Sequence, residues 1–151
     1  MRVDVASKVP QSPPASRVRS LLARAARLIP GSRDSGGRVR GTRDSEIGDV
    51  SVLFCGDRRM RTLNRRYRLK DRSTDVLAFP GGGGELLGDI VISVPYAFRQ
   101  ARRRGEPAAR EMDRLLVHGL LHLSGYDHET DNGEMDALEA KMRRRLGIAE
   151  K

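Results

Sequence analysis

All three histidines of the chain lie within one short stretch, HGLLHLSGYDH, at positions 118–128. His118 and His122 are four residues apart, so on a helix their imidazoles project from the same face, one turn apart. Gly125 can end such a helix in the left-handed conformation, and the chain can then return His128 to the pair. The stretch therefore predicts a three-histidine metal site at the end of a helix.

Three nitrogen ligands fit zinc best, although nickel and copper also accept imidazole. Gly119 stands where the zinc-protease motif carries its glutamate base. A zinc ion with three protein ligands keeps a position for water and lowers its pKa to about 7, so the missing base does not exclude catalysis. The alternative is that Cys55, the only cysteine, completes a closed site and the metal is structural.

Two residues between the second and third histidines have open roles. Asp127 either accepts the remaining ring N–H of a ligand histidine or caps the turn. Tyr126 is expected to pack against the core rather than to take part in catalysis. The proton acceptor of any reaction is not identified by these residues.

Apolar periodicity predicts an α+β fold: one domain over residues 1–151, with a small mixed β-sheet of about four strands and packed helices, and the zinc site at the end of a central helix. Asp57 is expected to cap the second helix. Residues 31–46, rich in glycine, serine and arginine, are expected to form a mobile basic loop. The predicted strands are 2–6, 49–56, 75–80 and 86–93, the last two as a hairpin; the helices are 18–29, one after Asp57, 94–104, 107–123 and 132–146.

The charge points to a polyanionic partner. Lys and Arg number 29 against 20 Asp and Glu, for a formal net charge of +9, and almost all the basic residues are arginine, whose planar fork suits phosphate. No apolar run reaches the length of a membrane span. One cysteine excludes an internal disulfide, and with no secretory signal evident, the cytoplasm is the expected location.

The chain resembles the YbeY family of bacterial metal-dependent endoribonucleases over about two thirds of its length. HGLLHLSGYDH matches the family pattern H-G-x-L-H-L-x-G-Y-D-H, which is highly specific. The segments that match in order upstream are Leu63-Asn64, Tyr67-Arg68, Asp71, TDVLAFP at 74–80 and LGDIVIS at 87–93. Ala78 departs from the serine usual in TDVLSFP, which puts a local RNA contact in doubt and not the metal.

This resemblance implies that His118, His122 and His128 bind one zinc ion and that Arg68 is a functional arginine, with His118 and Arg68 as the catalytic residues. It also implies cleavage of single-stranded RNA, including maturation of the 3′ end of small-subunit (16S) ribosomal RNA and ribosome quality control, with ribosomal RNA and ribosome-associated factors as partners. Arg68 would hold the phosphate and stabilise the charge that builds on its oxygens. The attacking group is either water or the RNA 2′-hydroxyl. Asp89 is a weaker candidate for supporting the site.

Eight basic residues between Arg58 and Arg72 form a candidate track for the RNA backbone. The arginine runs at 102–104 and 143–145 are candidate extensions of that track or ordinary solvated faces. Aromatic residues are scarce, so sequence readout is expected to be weak. Two other functions remain open: a ribosome-binding assembly factor whose metal is only structural, and a metal hydrolase of a small molecule or peptide.

Overall fold

The computed structural model describes residues 1–30, 48–83 and 85–148, so the expected loop at 31–46 lies outside the described residues. Within those ranges, no helix is both long and apolar enough to cross a membrane. All nine predicted elements occur in the predicted order. They are β1 (Val3–Ser7), α1 (Ala15–Ala26), β2 (Asp49–Cys55), α2 (Asp57–Arg68), β3 (Val76–Gly83), β4 (Leu86–Ser93), α3 (Val94–Arg104), α4 (Ala108–Leu123) and α5 (Glu134–Leu146).

The four strands form one mixed sheet in the order β1-β2-β4-β3. β1 is parallel to β2, and β2 is parallel to β4. β3 is antiparallel to β4, which confirms the predicted hairpin. A mixed sheet with segregated helices is an α+β architecture, as the periodicity predicted.

Alternate residues of the strands supply two separate apolar clusters, because successive side chains of a strand point to opposite faces. On β2, Val52 and Phe54 join the main core together with α1, α4 and α5. Cys55, from the opposite face, packs with Met60 of α2 and with Val91 in a smaller cluster. The large helical layer therefore covers one face of the sheet, and α2 covers part of the other.

α4 is the central helix and is buried on more sides than its apolar stripe predicted. Glu111, Asp113 and Arg114 are buried along with the apolar positions. Their charges are paired: Arg114 donates to Glu111 at 3.0 Å, and Arg17 donates to Asp113 at 2.7 Å. Paired charges at low exposure avoid the cost of an isolated buried ion. These pairs allow charged positions in the first half of α4 to face neighbouring elements, so the helix is held from several directions in the turns before the histidines.

The expected helix cap at Asp57 is wrong. Gly56 occupies the cap position of α2, and no side chain caps the helix there. The Asp57 carboxylate instead accepts hydrogen bonds from Ser73, Ser93 and Arg99, at 2.7 to 3.1 Å. The hydrogen bond from Arg99, followed by those from the two serines, lowers the pKa of Asp57 to about 2 against the opposing effect of burial. Asp57 joins α2 to α3 and to the loop before β3, which a local sequence rule cannot foresee.

Candidate metal centre

The three histidines converge at the C-terminal end of α4. His118 and His122 lie one turn apart, and their Nε2 atoms are 3.1 Å from each other. After α4 ends at Leu123, Gly125 adopts φ 98° and turns the chain. The His128 ring then lies 5.8 Å from the His118 ring and 5.5 Å from the His122 ring, centroid to centroid. The structure thus brings together the three residues that the spacing predicted.

The donor atoms fit a tetrahedral transition metal with one adjustment. Bonds of about 2.05 Å at the tetrahedral angle separate neighbouring nitrogens by about 3.3 Å, close to the spacing of the His118 and His122 Nε2 atoms. The nitrogen donors of all three histidines lie within 4.8 Å of one another, so some of these distances can exceed the 3.3 Å of an ideal tetrahedral site. His128 is exposed and follows a turn, so it is the ligand that would move inward on metal binding. Nitrogen donors suit zinc, nickel and copper alike, so the geometry does not select among them.

A buried carboxylate that the sequence argument missed lies behind His118. Glu139 of α5 places Oε2 3.1 Å from His118 Nδ1, and its side chain is 9% exposed. A carboxylate only accepts, so Nδ1–H donates and Nε2 is left facing the other histidines. The signal was present in the sequence: Glu139 is four residues after Met135 and three before Met142, on the buried face of α5.

The two helical histidines have opposite pKa shifts. The hydrogen bond with Glu139 raises the pKa of His118 despite its burial. Burial, and then the charges of His118 and His128, lowers the pKa of His122. Burial raises the pKa of Glu139, but the hydrogen bond and charge of His118 outweigh it, so the net shift is downward. His122 is therefore the more readily deprotonated ligand of the pair.

The residues between the histidines have structural contacts. The Asp127 side chain accepts a hydrogen bond through Oδ1 from the Glu129 amide at 2.9 Å. The Asp127 backbone carbonyl accepts a hydrogen bond from the Asp131 amide at 3.1 Å. Two roles were predicted for Asp127, and these contacts show that it caps the turn. Tyr126 packs against the main core, as expected.

Cys55 does not complete the metal site. It is fully buried in the cluster between α2 and the sheet, and burial raises its pKa to about 11, which disfavours the thiolate that a metal requires. Among the described residues, the histidine group contains no cysteine or carboxylate ligand. The group therefore has three potential ligands beside an open cavity, an arrangement typical of catalytic rather than structural zinc sites.

Close packing explains why glycine replaces the protease glutamate. A Cβ atom at Gly119 would lie 3.0 to 3.2 Å from three side-chain carbons of Ile90 on β4. That is tighter than ordinary van der Waals contact, so a longer side chain would push α4 away from the sheet. Glycine at 119 therefore lets α4 approach β4 closely, and a larger residue there requires Ile90 to shift.

Arg68 lines the same cavity as the three histidines, a space of about 440 Å³. It is the last residue of α2, and its Nη2 donates to the Ala78 carbonyl at 3.0 Å. Its guanidinium also lies 5.9 Å from the centre of the Phe79 ring. One hydrogen bond and one ring contact orient Arg68, and within the described part of the chain its other N–H groups have no hydrogen-bond partner, so they can bind an anion.

Other weaker candidates lie elsewhere. Asp89 lines a different cavity, on the α2 face of the sheet, together with Tyr67 and Phe79. None of the arginines at 102–104 and 143–145 lines the histidine cavity, and Arg104 is paired with Glu111 at 2.9 Å. These residues are not brought to the metal centre.

Comparison with known proteins gives a consistent result. The family model described as Endoribonuclease YbeY matches residues 37–147. A protein named Endoribonuclease YbeY from Anaeromyxobacter dehalogenans is 50% identical over 109 residues, covering 68% of this chain and 56% of that protein. One with the same name from Solibacter usitatus is 49% identical over 106 residues, covering 68% and 71%. The chain thus spans little more than half the length of the Anaeromyxobacter relative.

A solved structure shares the fold. The solution structure of a protein from Thermotoga maritima aligns with a TM-score of 0.62 over 95% of this chain and 88% of that one, at 22% identity. At that identity the likeness concerns the fold alone.

Proposed function

The chain belongs to the YbeY endoribonuclease family, and from that premise we propose that it is a metal-dependent endoribonuclease that cuts single-stranded RNA. The observation that carries the proposal is that Arg68 and all three histidines line one cavity. Positive charge next to the phosphate oxygens stabilises the transition state of phosphodiester cleavage, and these residues bring an arginine and a candidate metal site to one cavity.

We assign His118, His122 and His128 as ligands of one zinc ion, which when bound supplies Lewis-acid charge to the phosphodiester. His118 presents Nε2 to the metal because Glu139 holds its Nδ1–H. Arg68, the other catalytic residue, binds the phosphate through the N–H groups that Ala78 does not use, and it stabilises the charge that develops on the phosphate oxygens. The chain supplies no carboxylate base at Gly119.

The attacking group distinguishes two forms of this reaction. Attack by the RNA 2′-hydroxyl leaves a 2′,3′-cyclic phosphate, whereas attack by water leaves a linear phosphate. Analysis of the product ends therefore identifies the nucleophile without any change to the protein.

The biological substrate that we propose is ribosomal RNA, at the 3′ end of the small-subunit RNA and in ribosome quality control, in the cytoplasm with ribosome-associated factors. The names of the relatives, all Endoribonuclease YbeY, support an RNA substrate. The net charge of +9 supports a polyanionic partner.

Metal analysis of the purified chain, coupled to cleavage of a single-stranded RNA, tests the proposal. We expect about one zinc per chain in the wild type and loss of both zinc and cleavage in His122→Ala. Circular dichroism and thermal unfolding of both proteins without metal check that the variant still folds. Full metal content with no cleavage by the wild type would instead favour a ribosome assembly factor with a structural metal.

A further inference from the structure

Only three of the eight basic residues between Arg58 and Arg72 line the histidine cavity: Arg68, Lys70 and Arg72. The others are directed elsewhere or remain outside it. Arg61 is paired with Asp71, and the Arg66 guanidinium lies 5.4 Å from the centre of the Tyr67 ring. Fewer basic residues of α2 can therefore contact an RNA in the cavity than the sequence indicated. Two of the three that line the cavity, Lys70 and Arg72, lie after the end of the helix.

Lys70 and Arg72 lie on a short segment, residues 69–72, that is held in place from the inside by Asn64. Leu69 ends α2 in the left-handed conformation, with φ 58°. The Lys70 amide then donates to the Asn64 carbonyl at 3.3 Å, and Asn64 Nδ2 donates to the Arg72 carbonyl at 2.9 Å. Asn64 is 3% exposed, so these contacts are shielded from water.

The same segment is held from the outside by a forked ion pair. Arg61 Nε and Nη2 donate to the two carboxylate oxygens of Asp71, at 2.8 and 3.1 Å. Two parallel hydrogen bonds of this kind fix direction as well as distance. The single acidic residue of the segment is thereby occupied by Arg61, and it does not neutralise its two cationic neighbours.

The side chains of Lys70 and Arg72 are exposed and, among the described residues, have no acidic partner within ion-pair distance. The cavity lining also includes Asp127 and Glu129, which neighbour His128. A polyanion entering this cavity is repelled by those two carboxylates and attracted to the cationic segment, so the charges give it a preferred side.

We propose that Lys70 and Arg72 bind the RNA phosphates that flank the one held by Arg68 and the metal site, which makes residues 69–72 a backbone-binding subsite of the cavity. This inference rests on the proposed function. A cavity of about 440 Å³ is of the size that holds a small ligand, so we expect it to receive about one nucleotide of a single strand at a time. The subsite contacts phosphate and not bases, so it favours single strands without selecting a sequence.

The test compares zinc-loaded wild type with Lys70→Gln/Arg72→Gln and with a control pair, Arg58→Gln/Arg65→Gln. Both variants lose two positive charges, and the control residues are exposed on α2 outside the cavity. KM and kcat for a single-stranded RNA are measured over a series of salt concentrations, and zinc content and melting temperature are measured for each protein.

For Lys70→Gln/Arg72→Gln we expect KM to rise about tenfold or more, and the slope of log KM against log salt to fall by about 1.4, because each phosphate contact on a single strand contributes about 0.7. The control should keep nearly the wild-type slope. Equal changes in the two variants, with an active wild type, would overturn the subsite and leave the nuclease assignment intact. A zinc-loaded wild type that cuts no RNA would overturn the nuclease assignment, and the subsite with it.

Discussion

Replacing Glu139 by glutamine is expected to weaken zinc binding without unfolding the protein. In the wild type, His118 Nδ1 lies 3.1 Å from the Glu139 carboxylate. Glutamine has nearly the same size and keeps an oxygen that can accept this hydrogen bond, but it removes the negative charge. The Glu139 side chain is only 9% exposed, so solvent screens this charge little. Loss of such an outer partner costs about 10- to 100-fold in metal affinity, equivalent to about 1.4 to 2.7 kcal/mol.

The assay is a zinc titration of the metal-free protein against a competing chelator at neutral pH. Asp136→Asn is the matched control, because it removes an exposed carboxylate from the same helix away from the histidines. We expect the control to bind zinc like the wild type. A dissociation constant for Glu139→Gln within threefold of both would refute the argument that Glu139 orients His118 for the metal.

The remaining predictions concern stability. Leu69→Gly should raise the melting temperature by about 2–4 °C. Leu69 is 89% exposed, and its φ of 58° is a conformation that costs a non-glycine residue about 1 kcal/mol. An unchanged or lower melting temperature would contradict this expectation. Gly119→Ala should destabilise the protein to denaturant by about 1–3 kcal/mol, and adding Ile90→Val should recover part of the loss because the close contacts are with Ile90. Asp57→Asn should cost on the order of 1 kcal/mol at neutral pH, after allowance for a side chain that is 36% exposed. Because the folded pKa of Asp57 is lowered from 3.8 to about 2, the advantage of the wild type should be present above pH 3.8 and fade as the pH falls toward 2; a difference independent of pH would contradict the assignment.

The sequence predicted the order of the elements because each carries a strong local signal. β2 follows from its β-branched and aromatic residues, and the hairpin of β3 and β4 follows because nothing helical lies between the two strands. α4 follows from helical spacing that ends before Gly125. The cluster of three histidines that could hold a metal was predictable for the same reason. The three histidines lie within eleven residues, so the geometry of one helix and one turn brings them together.

Features that depend on contacts between distant elements were not predictable in this way. Asp57 looks like a helix cap, but Ser93 and Arg99, far along the chain, bind its carboxylate instead. Glu139 approaches His118 only because α5 packs against α4. In the sequence, the basic residues of α2 form one cluster. In the structure, only some of them line the histidine cavity, and others lie on different faces.

The most direct test of the proposed active site is the single-turnover cleavage rate of zinc-loaded Arg68→Ala on saturating single-stranded RNA, with Arg65→Ala as the control. Arg65 lies one turn earlier on α2 and does not line the cavity. We expect Arg68→Ala to keep its zinc and to lose about 100- to 1,000-fold in rate, while the control cuts at the wild-type rate. Cleavage by Arg68→Ala at the wild-type rate, or equal cleavage by metal-free wild type, would contradict the claim that Arg68 and the three histidines form the RNA-cleaving site.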